Sequence, residues 1–244
     1  MQSVWRIIGL TVFLSLLVGG VIAGLVWTQH RAEPVVCRQC TIVIEDEQER
    51  QYVSTDELVR LLQAKHLSPE GKNMTELSLQ QIEEQMRAHP MVRTAQCVLT
   101  PQGTLFITVT QRVPIVHVQT DADRYYVDAD RTRMPERETV NTSVMKVTGT
   151  LTESDACGPV ADMVLWITNS AYWHDKIASV YVSEAKNITL TRHEGTRLLI
   201  GTHERYKNKL NKLQAFYQHY PSLTDSVSYR ALDARYAGQV VGVK

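Results

Sequence analysis

An uninterrupted apolar run, Ile7–Trp27, constrains the fold of this chain more than any other feature of its sequence. None of its residues is charged, and at about 1.5 Å per residue a helix of this length spans roughly 30 Å, the hydrocarbon core of a bilayer. Trp5 and Trp27 stand at its two ends, where indole rings favour the membrane interface. The run therefore predicts a transmembrane helix at residues 7–27.

A cleaved signal peptide is the alternative for this run, and the length of the run argues against it. Signal peptides have an apolar region of about 7–15 residues followed by small residues at the cleavage site. This run is longer and ends in Leu25-Val26-Trp27. Positive charges before and after it nearly balance, so they do not decide its orientation. A long tail after a short amino-terminal head is usually translocated, which predicts that the tail lies outside the cytoplasm.

The charge balance of the chain excludes whole classes of partner. Lys and Arg total 26 and Asp and Glu total 26, so the net charge at pH 7 is zero. A nucleic-acid binder would carry a basic excess that neutralises phosphates, and bulk attraction to acidic lipid would need one as well. The four cysteines are also too sparse for a disulfide scaffold.

The first part of the tail is predicted to have the order strand, helix, helix, strand, strand. Alternating apolar residues predict strands at Cys40–Glu47, Met91–Leu99 and Leu105–Val109. Between the first two strands, Thr55 is predicted to cap one helix and Ser78 a second one. This order describes a compact unit of about 75 residues, a size at which small domains fold.

The remainder of the chain is predicted to form strands around a long helix. Apolar residues at helical spacing predict a buried face on a helix over His203–Tyr220, and a shorter helix is predicted at Val160–Thr168. The predicted strands, in chain order, are Arg124–Val127, Val144–Gly149, Ile177–Val182, Ile188–Leu190, Arg197–Ile200, Val227–Leu232 and Gln239–Val243.

Cys37 and Cys40 form a C-x-x-C motif, which elsewhere serves as a thiol redox pair or as half of a zinc site. No second pair of ligands completes a zinc site. The motif also precedes a strand, whereas a redox pair lies at the start of a helix. We therefore interpret the two cysteines as a structural pair or a local disulfide. A membrane-anchored thiol oxidoreductase that uses Cys37 and Cys40 is the alternative function.

Two acidic pairs, Asp121/Asp123 and Asp128/Asp130, are interpreted as hairpin turns. A calcium loop would need more oxygen ligands at fixed spacing and a turn glycine, and neither is present. Motifs for nucleophilic catalysis and phosphate binding are missing from the sequence. We therefore expect a protein that is not an enzyme, with no catalytic, cofactor-binding or metal-binding residues.

The carboxyl-terminal strand is the best candidate for a binding site. The segment from Tyr229 to Val241 is predicted to form a strand, a turn and a strand, and a last strand at a sheet edge leaves backbone N–H and C=O groups unpaired. An extended partner segment can add to such an edge. Backbone hydrogen bonds then supply affinity, and side chains such as Tyr236 supply specificity.

Three stretches of the chain resemble the bacterial cell-division family FtsQ/DivIB. Leu79–Val116 is similar to the second half of the family's polypeptide-transport-associated (POTRA) domain. Tyr125–Pro135 is similar to the hairpin that opens the second domain, with Arg131 in place of the usual glycine. Ile188–Val243 ends in DARYAGQVVGV, which is similar to the family's D-L-R-Y segment. Together with the apolar run, the resemblance covers nearly the whole chain.

The resemblance implies an α+β protein. An amino-terminal transmembrane helix would be followed by a small POTRA domain of order β-α-α-β-β and a mixed β domain with a long helix packed on an antiparallel sheet. The implied boundaries are a cytoplasmic head at residues 1–6, the membrane helix at 7–27, a linker at 28–36, the POTRA domain at 37–113 and the β domain at 114–244.

The resemblance also implies a divisome scaffold without catalytic activity or cofactors. It would be a single-pass protein of the cytoplasmic (inner) membrane, with a cytoplasmic amino terminus and a periplasmic bulk, concentrated at the septum. It would bind FtsB-like and FtsL-like bitopic coiled-coil proteins. Other divisome members would bind through the POTRA domain and the membrane helix. In this way the protein would link early and late division proteins to septal peptidoglycan synthesis. The implied partner-binding residues are Arg235, Tyr236, Ala237, Gly238, Gln239, Val240 and Val241. A basic residue that some members use falls near Glu184 or Lys186.

Overall fold

The computed structural model describes residues 15–22, 35–138, 140, 143–220 and 229–244. Residues 15–22 are helical. The rest of the apolar run Ile7–Trp27, the head at residues 1–6 and most of the linker lie outside the described residues, so the transmembrane anchor stays a prediction. Over the described ranges, no helix is both long and apolar enough to cross a membrane.

The first folded unit has the predicted order of elements. They are β1 (Gln39–Ile44), α1 (Thr55–Ala64), α2 (Leu79–Arg87), β2 (Val92–Leu99) and β3 (Thr104–Gln111). The strands form a three-stranded sheet of order β1-β3-β2, in which β1 runs parallel to β3 and β2 antiparallel to it. The β-α-α-β-β order predicted from the sequence is confirmed.

Caps and apolar faces fix the two helices of this unit on one side of its sheet. Ser54, not the predicted Thr55, caps α1, because the Glu57 backbone N–H donates to its hydroxyl at 3.2 Å. Ser78 caps α2 as predicted, with the Gln81 N–H donating at 3.4 Å. The buried core shared by helices and sheet includes Leu58, Leu62, Ile82, Met86, Leu105, Ile107 and Val109.

The second unit is a nine-stranded sheet with two helices. Its strands are β4 (Pro114–Gln119), β5 (Arg124–Asp128), β6 (Arg133–Pro135), β7 (Met145–Gly149), β8 (Ile177–Val182), β9 (Ile188–Arg192), β10 (Arg197–Gly201), β11 (Ala231–Asp233) and β12 (Val241–Val243). The helices are α3 (Ala161–Thr168), which follows a helical segment at Glu153–Val160, and α4 (Tyr206–His219). The strand order is β12-β11-β10-β9-β8-β7-β4-β5-β6.

This sheet is mixed, so the antiparallel sheet predicted from the sequence is wrong. The pairs β4–β7, β7–β8 and β10–β11 are parallel. Parallel neighbours require a crossover connection. The hairpin of β5 and β6 provides it between β4 and β7, α3 provides it between β7 and β8, and α4 provides it between β10 and β11. Two of the three parallel pairs therefore depend on a helical crossover, and the third depends on the hairpin.

Ionic and apolar contacts join the two sheets. Arg112, in the segment between β3 and β4, donates to Asp128 at 2.7 Å, and Arg93 on β2 donates twice to Asp130 at 2.7 and 3.0 Å. Three side chains from beyond β4 lie in the core of the first unit, namely Tyr126, Met134 and Val140. The β5–β6 hairpin is therefore packed against both units.

Candidate functional site

The last strand, β12, lies at one end of the nine-stranded sheet. It pairs antiparallel with β11, with Val241 opposite Asp233 and Val243 opposite Ala231. Over the part of the chain that the structure describes, no other strand pairs with β12. Val241 and Val243 are 40% and 46% exposed. Within the described residues, one side of β12 therefore has no strand beside it.

A short turn connects β11 to β12, and hydrogen bonds hold its first half. The Ala234 N–H donates to the Leu199 carbonyl at 3.0 Å, which fastens the turn to β10. Arg235 folds back on Asp233, with its Nε and Nη2 atoms donating at 2.9 and 2.6 Å. These hydrogen bonds hold the pKa of the buried Asp233 carboxyl below its usual value, so it stays charged and keeps Arg235 in place. Gly238 supplies the positive φ of 75° at which the chain reverses.

Lys212 on α4 holds the carbonyl groups of this turn. Its Nζ donates to the Ala234 carbonyl at 3.0 Å and also to the Tyr236 carbonyl. Partial burial lowers the pKa of the Lys212 ammonium, and the neighbouring Asp233 carboxylate opposes that shift. The long helix thus fixes the backbone on which Tyr236 stands, while the Tyr236 side chain is 52% exposed.

A groove of about 290 Å³ separates the start of α4 from the turn. Its lining includes Arg205, Asn208, Lys209 and Lys212 on the helix side and residues 234–238 on the turn side. The Lys209 ammonium donates to the Thr202 carbonyl at 2.9 Å, and burial lowers its pKa. The groove therefore has cationic walls and lies beside the turn that leads into the last strand.

Gly242 is required where β12 meets the start of β11. A Cβ atom at this position would lie 2.4 Å from a ring carbon of Tyr229. The Tyr229 ring therefore packs directly on the backbone of β12 and fixes its distance from β11. Any larger residue would displace either the ring or the strand.

The predicted partner-binding residues lie together, but mostly in the turn rather than on the strand. Arg235, Tyr236, Ala237, Gly238 and Gln239 precede β12, Val240 is half-buried, and Val241 is its first residue. The strand predicted at Gln239–Val243 therefore begins two residues later. The residues on the helix side of the groove were missed. Asn208, Lys209 and Lys212 share one face of α4 at helical spacing, which is a signal that the sequence does contain.

The cysteines provide no support for the thiol oxidoreductase alternative. Cys37 is buried, and all four cysteines are free. Burial raises the pKa of the Cys40 thiol to about 11, helped by Cys37 and Glu70, and raises that of Cys97 to about 12. A redox-active or nucleophilic thiol needs a lowered pKa, because the thiolate is the reactive form.

Three of the four acidic residues in the two pairs have structural partners. The Asp123 carboxylate is paired with Arg133, that of Asp128 accepts from the Thr132 N–H at 2.7 Å, and that of Asp130 is paired with Arg93. Lys186, near which the family's basic residue falls, is paired with Asp155. Over the described residues, no three His, Cys, Asp or Glu side chains converge as a metal site would require.

Comparison with protein-family models assigns both units. Residues 113–243 match the model described as FtsQ/DivIB, C-terminal related, and residues 35–110 match the model of a POTRA-like domain. A search of curated proteins finds no match. The first model spans more than half of the 244 residues and contains the whole nine-stranded sheet. The chain therefore belongs to the FtsQ/DivIB family.

Proposed function

We propose that this protein is a scaffold of the bacterial cell-division machinery that works by binding and not by catalysis. Family membership supports the role, because FtsQ/DivIB proteins are non-enzymatic division proteins. The observation that carries the proposal is the open side of β12, which is the last strand of its sheet and pairs with β11 alone among the described residues.

The partner adds a strand to β12 by β-augmentation. Backbone hydrogen bonds along Val241–Val243 align an extended partner segment, and the exposed Tyr236 ring packs against its side chains. FtsB-like and FtsL-like bitopic coiled-coil proteins are the proposed partners, with Arg235, Tyr236, Ala237, Gly238, Gln239, Val240 and Val241 as the contact residues.

The groove beside β12 selects the charge of the bound segment. Arg205 and Arg235 are exposed cations on its walls, and the Lys209 and Lys212 ammonium groups lie behind them. A partner segment that continues from β12 past the turn meets these cations. We therefore expect it to carry Asp or Glu on the side that faces α4.

The protein is further proposed to be a single-pass protein of the cytoplasmic membrane, with its bulk in the periplasm. The apolar run at residues 7–27 supports this location. The POTRA unit and the membrane helix would contact other divisome members and link early to late division proteins. A fluorescent fusion in dividing cells tests the location, and uniform envelope fluorescence without enrichment at the septum would contradict it.

Substitution of Tyr236 by Ala tests the proposed binding site. The change removes an aromatic anchor, so we expect partner binding to weaken by about 2 kcal/mol, or roughly thirtyfold in Kd. The measurement is binding of the purified full chain to the FtsB-like protein of the same cell. Tyr181→Ala is the matched control, because Tyr181 is 49% exposed on β8, away from the turn. Equal affinity of the two variants would refute the edge-strand proposal.

A further inference from the structure

Over the residues that the structure describes, the two sheets have four edge strands, and two of the four are blocked. The edge of β2 is covered by side chains of α2, since Glu83 accepts from the Cys97 N–H at 2.8 Å and Arg87 donates to the Ala95 carbonyl at 3.4 Å. The edge strand β6 has three residues and ends in Pro135, which has no N–H. With β12 as the proposed partner site, β1 is the remaining edge.

The outer edge of β1 is open over the length of the strand. The N–H groups of Arg38 and Gln39 both donate to the Gly103 carbonyl, at 2.8 and 3.4 Å, and that of Glu45 donates to the Val109 carbonyl at 3.0 Å. From Gln39 onward, odd-numbered residues therefore face β3. Even-numbered Cys40 and Ile42 therefore direct their backbone N–H and C=O groups away from β3. Within the described residues, no strand pairs with that side. Residues 71 and 72 bond to Cys37, so the open edge begins just after it.

No residue of β1 is charged. The residues beside it on the outer face of the three-stranded sheet, the face away from the helices, include uncharged side chains of β2 and β3. The strand reads QCTIVI, and its neighbours on the outer face of the sheet include Phe106 and Val98, which are 39% and 58% exposed. Edge strands that must stay unpaired usually carry a charge, a proline or a covering side chain. None of these devices is present on β1.

Charges of opposite sign stand at the two ends of β1. Arg38 precedes the strand and is exposed. Glu45 follows it and opens the acidic turn of residues 45–49, accepting only the Thr110 hydroxyl at 2.7 Å. Neither Arg38 nor Glu45 has an ion-pair partner among the described residues. An identical strand laid antiparallel would bring the Arg38 end of one copy beside the Glu45 end of the other at both ends of the pair.

We propose that β1 of one copy pairs antiparallel with β1 of a second copy of this chain. The two strands carry no charge and so do not repel each other. At each end of the pair, Arg38 of one copy lies near Glu45 of the other. The two three-stranded sheets then form one six-stranded sheet. The two-fold axis is perpendicular to the sheet, so the helices α1 and α2 of both copies lie on one face and the uncharged residues on the other. This interface lies on the first sheet and leaves β12 free for the division partner.

Charge reversal at the two ends of β1 tests the arrangement. In the proposed pair, Arg38→Glu places a carboxylate beside Glu45 of the second copy, and Glu45→Lys places an ammonium beside Arg38 of the second copy. Each variant alone is expected to dimerise at least about tenfold more weakly than the natural chain, because two like-charge contacts replace two attractive ones. An equimolar mixture of the two variants is expected to recover dimers, since both ends then match again. Native mass spectrometry of the purified full chain over a concentration series distinguishes the species.

Two controls keep the test specific. Lys146→Glu changes the net charge as Arg38→Glu does, at an exposed site on β7, and is expected to leave the dimer unchanged. Tyr236→Ala is expected to leave it unchanged as well, which separates this interface from the proposed partner site. The proposal is overturned if the natural chain stays monomeric, if Lys146→Glu weakens the dimer as much as Arg38→Glu, or if the mixture remains as weak as its components.

Discussion

Lys212 is the single residue on which the shape of the binding turn depends most. Its ammonium joins α4 to the carbonyls of Ala234 and Tyr236. Lys212→Met keeps the aliphatic stem and removes both hydrogen bonds, so the turn should lose its fixed position. We expect partner affinity to fall about tenfold, while the free energy of unfolding changes by about 1 kcal/mol. Lys207→Met, on an exposed position of the same helix, is the control; if both variants bind alike, the turn needs no such support.

Ionisation of the Asp155 carboxyl is expected to make the stability of the fold depend on pH. Hydrogen bonds from Lys186 and from Thr152 lower the pKa of the Asp155 carboxyl from 3.8 to about 2. A lowered folded-state pKa contributes stability above the unfolded value, and that contribution is lost as the pH falls from about 3.8 towards 2. Melting temperatures of the natural chain and of Asp155→Asn should therefore differ near about pH 6 and converge in this window. A difference that is constant with pH would show that Asp155 does not stabilise the fold as a carboxylate.

Single residues show why sequence reasoning found the region of the site but not all of its members. Tyr236 and its neighbours follow from the resemblance in DARYAGQVVGV. The resemblance does not identify Lys212. Its role depends on a turn that begins more than twenty residues later in the chain and packs on the helix. At the start of α1, Ser54 and Thr55 both offer a capping hydroxyl, and the helical spacing does not choose between them.

At the scale of elements, the fit of β12 against β11 depends on Gly242. A methyl group there would meet the Tyr229 ring, so Gly242→Ala should move the strand and weaken partner binding. Removing the ring as well should restore part of the affinity, and Tyr229→Ala alone should have the smaller effect. A double-mutant cycle on Kd measures this coupling. Additive effects of the two substitutions would mean that the ring does not position β12.

The positions of most strands along the chain could be predicted from the sequence. Which strands pair with each other, and in which direction, could not. The alternation in Ile177–Val182 or Arg197–Gly201 reveals a half-buried strand without saying which strand lies beside it. The parallel pairs arise because two helices and the β5–β6 hairpin carry the chain across the sheet, and that is a property of packing. The strand β4 is absent from the strands predicted from the sequence, although proline is tolerated as the first residue of a strand.

At the scale of the whole molecule, the POTRA-like unit and the second sheet share a junction of two unequal ion pairs. The Arg112–Asp128 pair is enclosed, since the Asp128 side chain is 3% exposed, whereas the Arg93–Asp130 pair is about half exposed. Arg93 lies on β2 and Arg112 lies between β3 and β4, while both acidic partners lie at the end of β5 or in the turn after it. Burial therefore decides which of them holds the units together.

Arg112→Met is predicted to destabilise the chain far more than Arg93→Met. Loss of Arg112 leaves the buried Asp128 carboxylate without its cation, at a cost on the order of 3 kcal/mol, because an uncompensated charge then stays in a region of low dielectric. Loss of Arg93 removes an exposed pair, which is worth less than about 1 kcal/mol. Denaturant unfolding of the full chain measures both free energies, and adding Asp128→Asn to Arg112→Met should recover part of the loss. Equal costs for the two arginines would mean that the apolar contacts of Tyr126 and Met134 alone fix the junction.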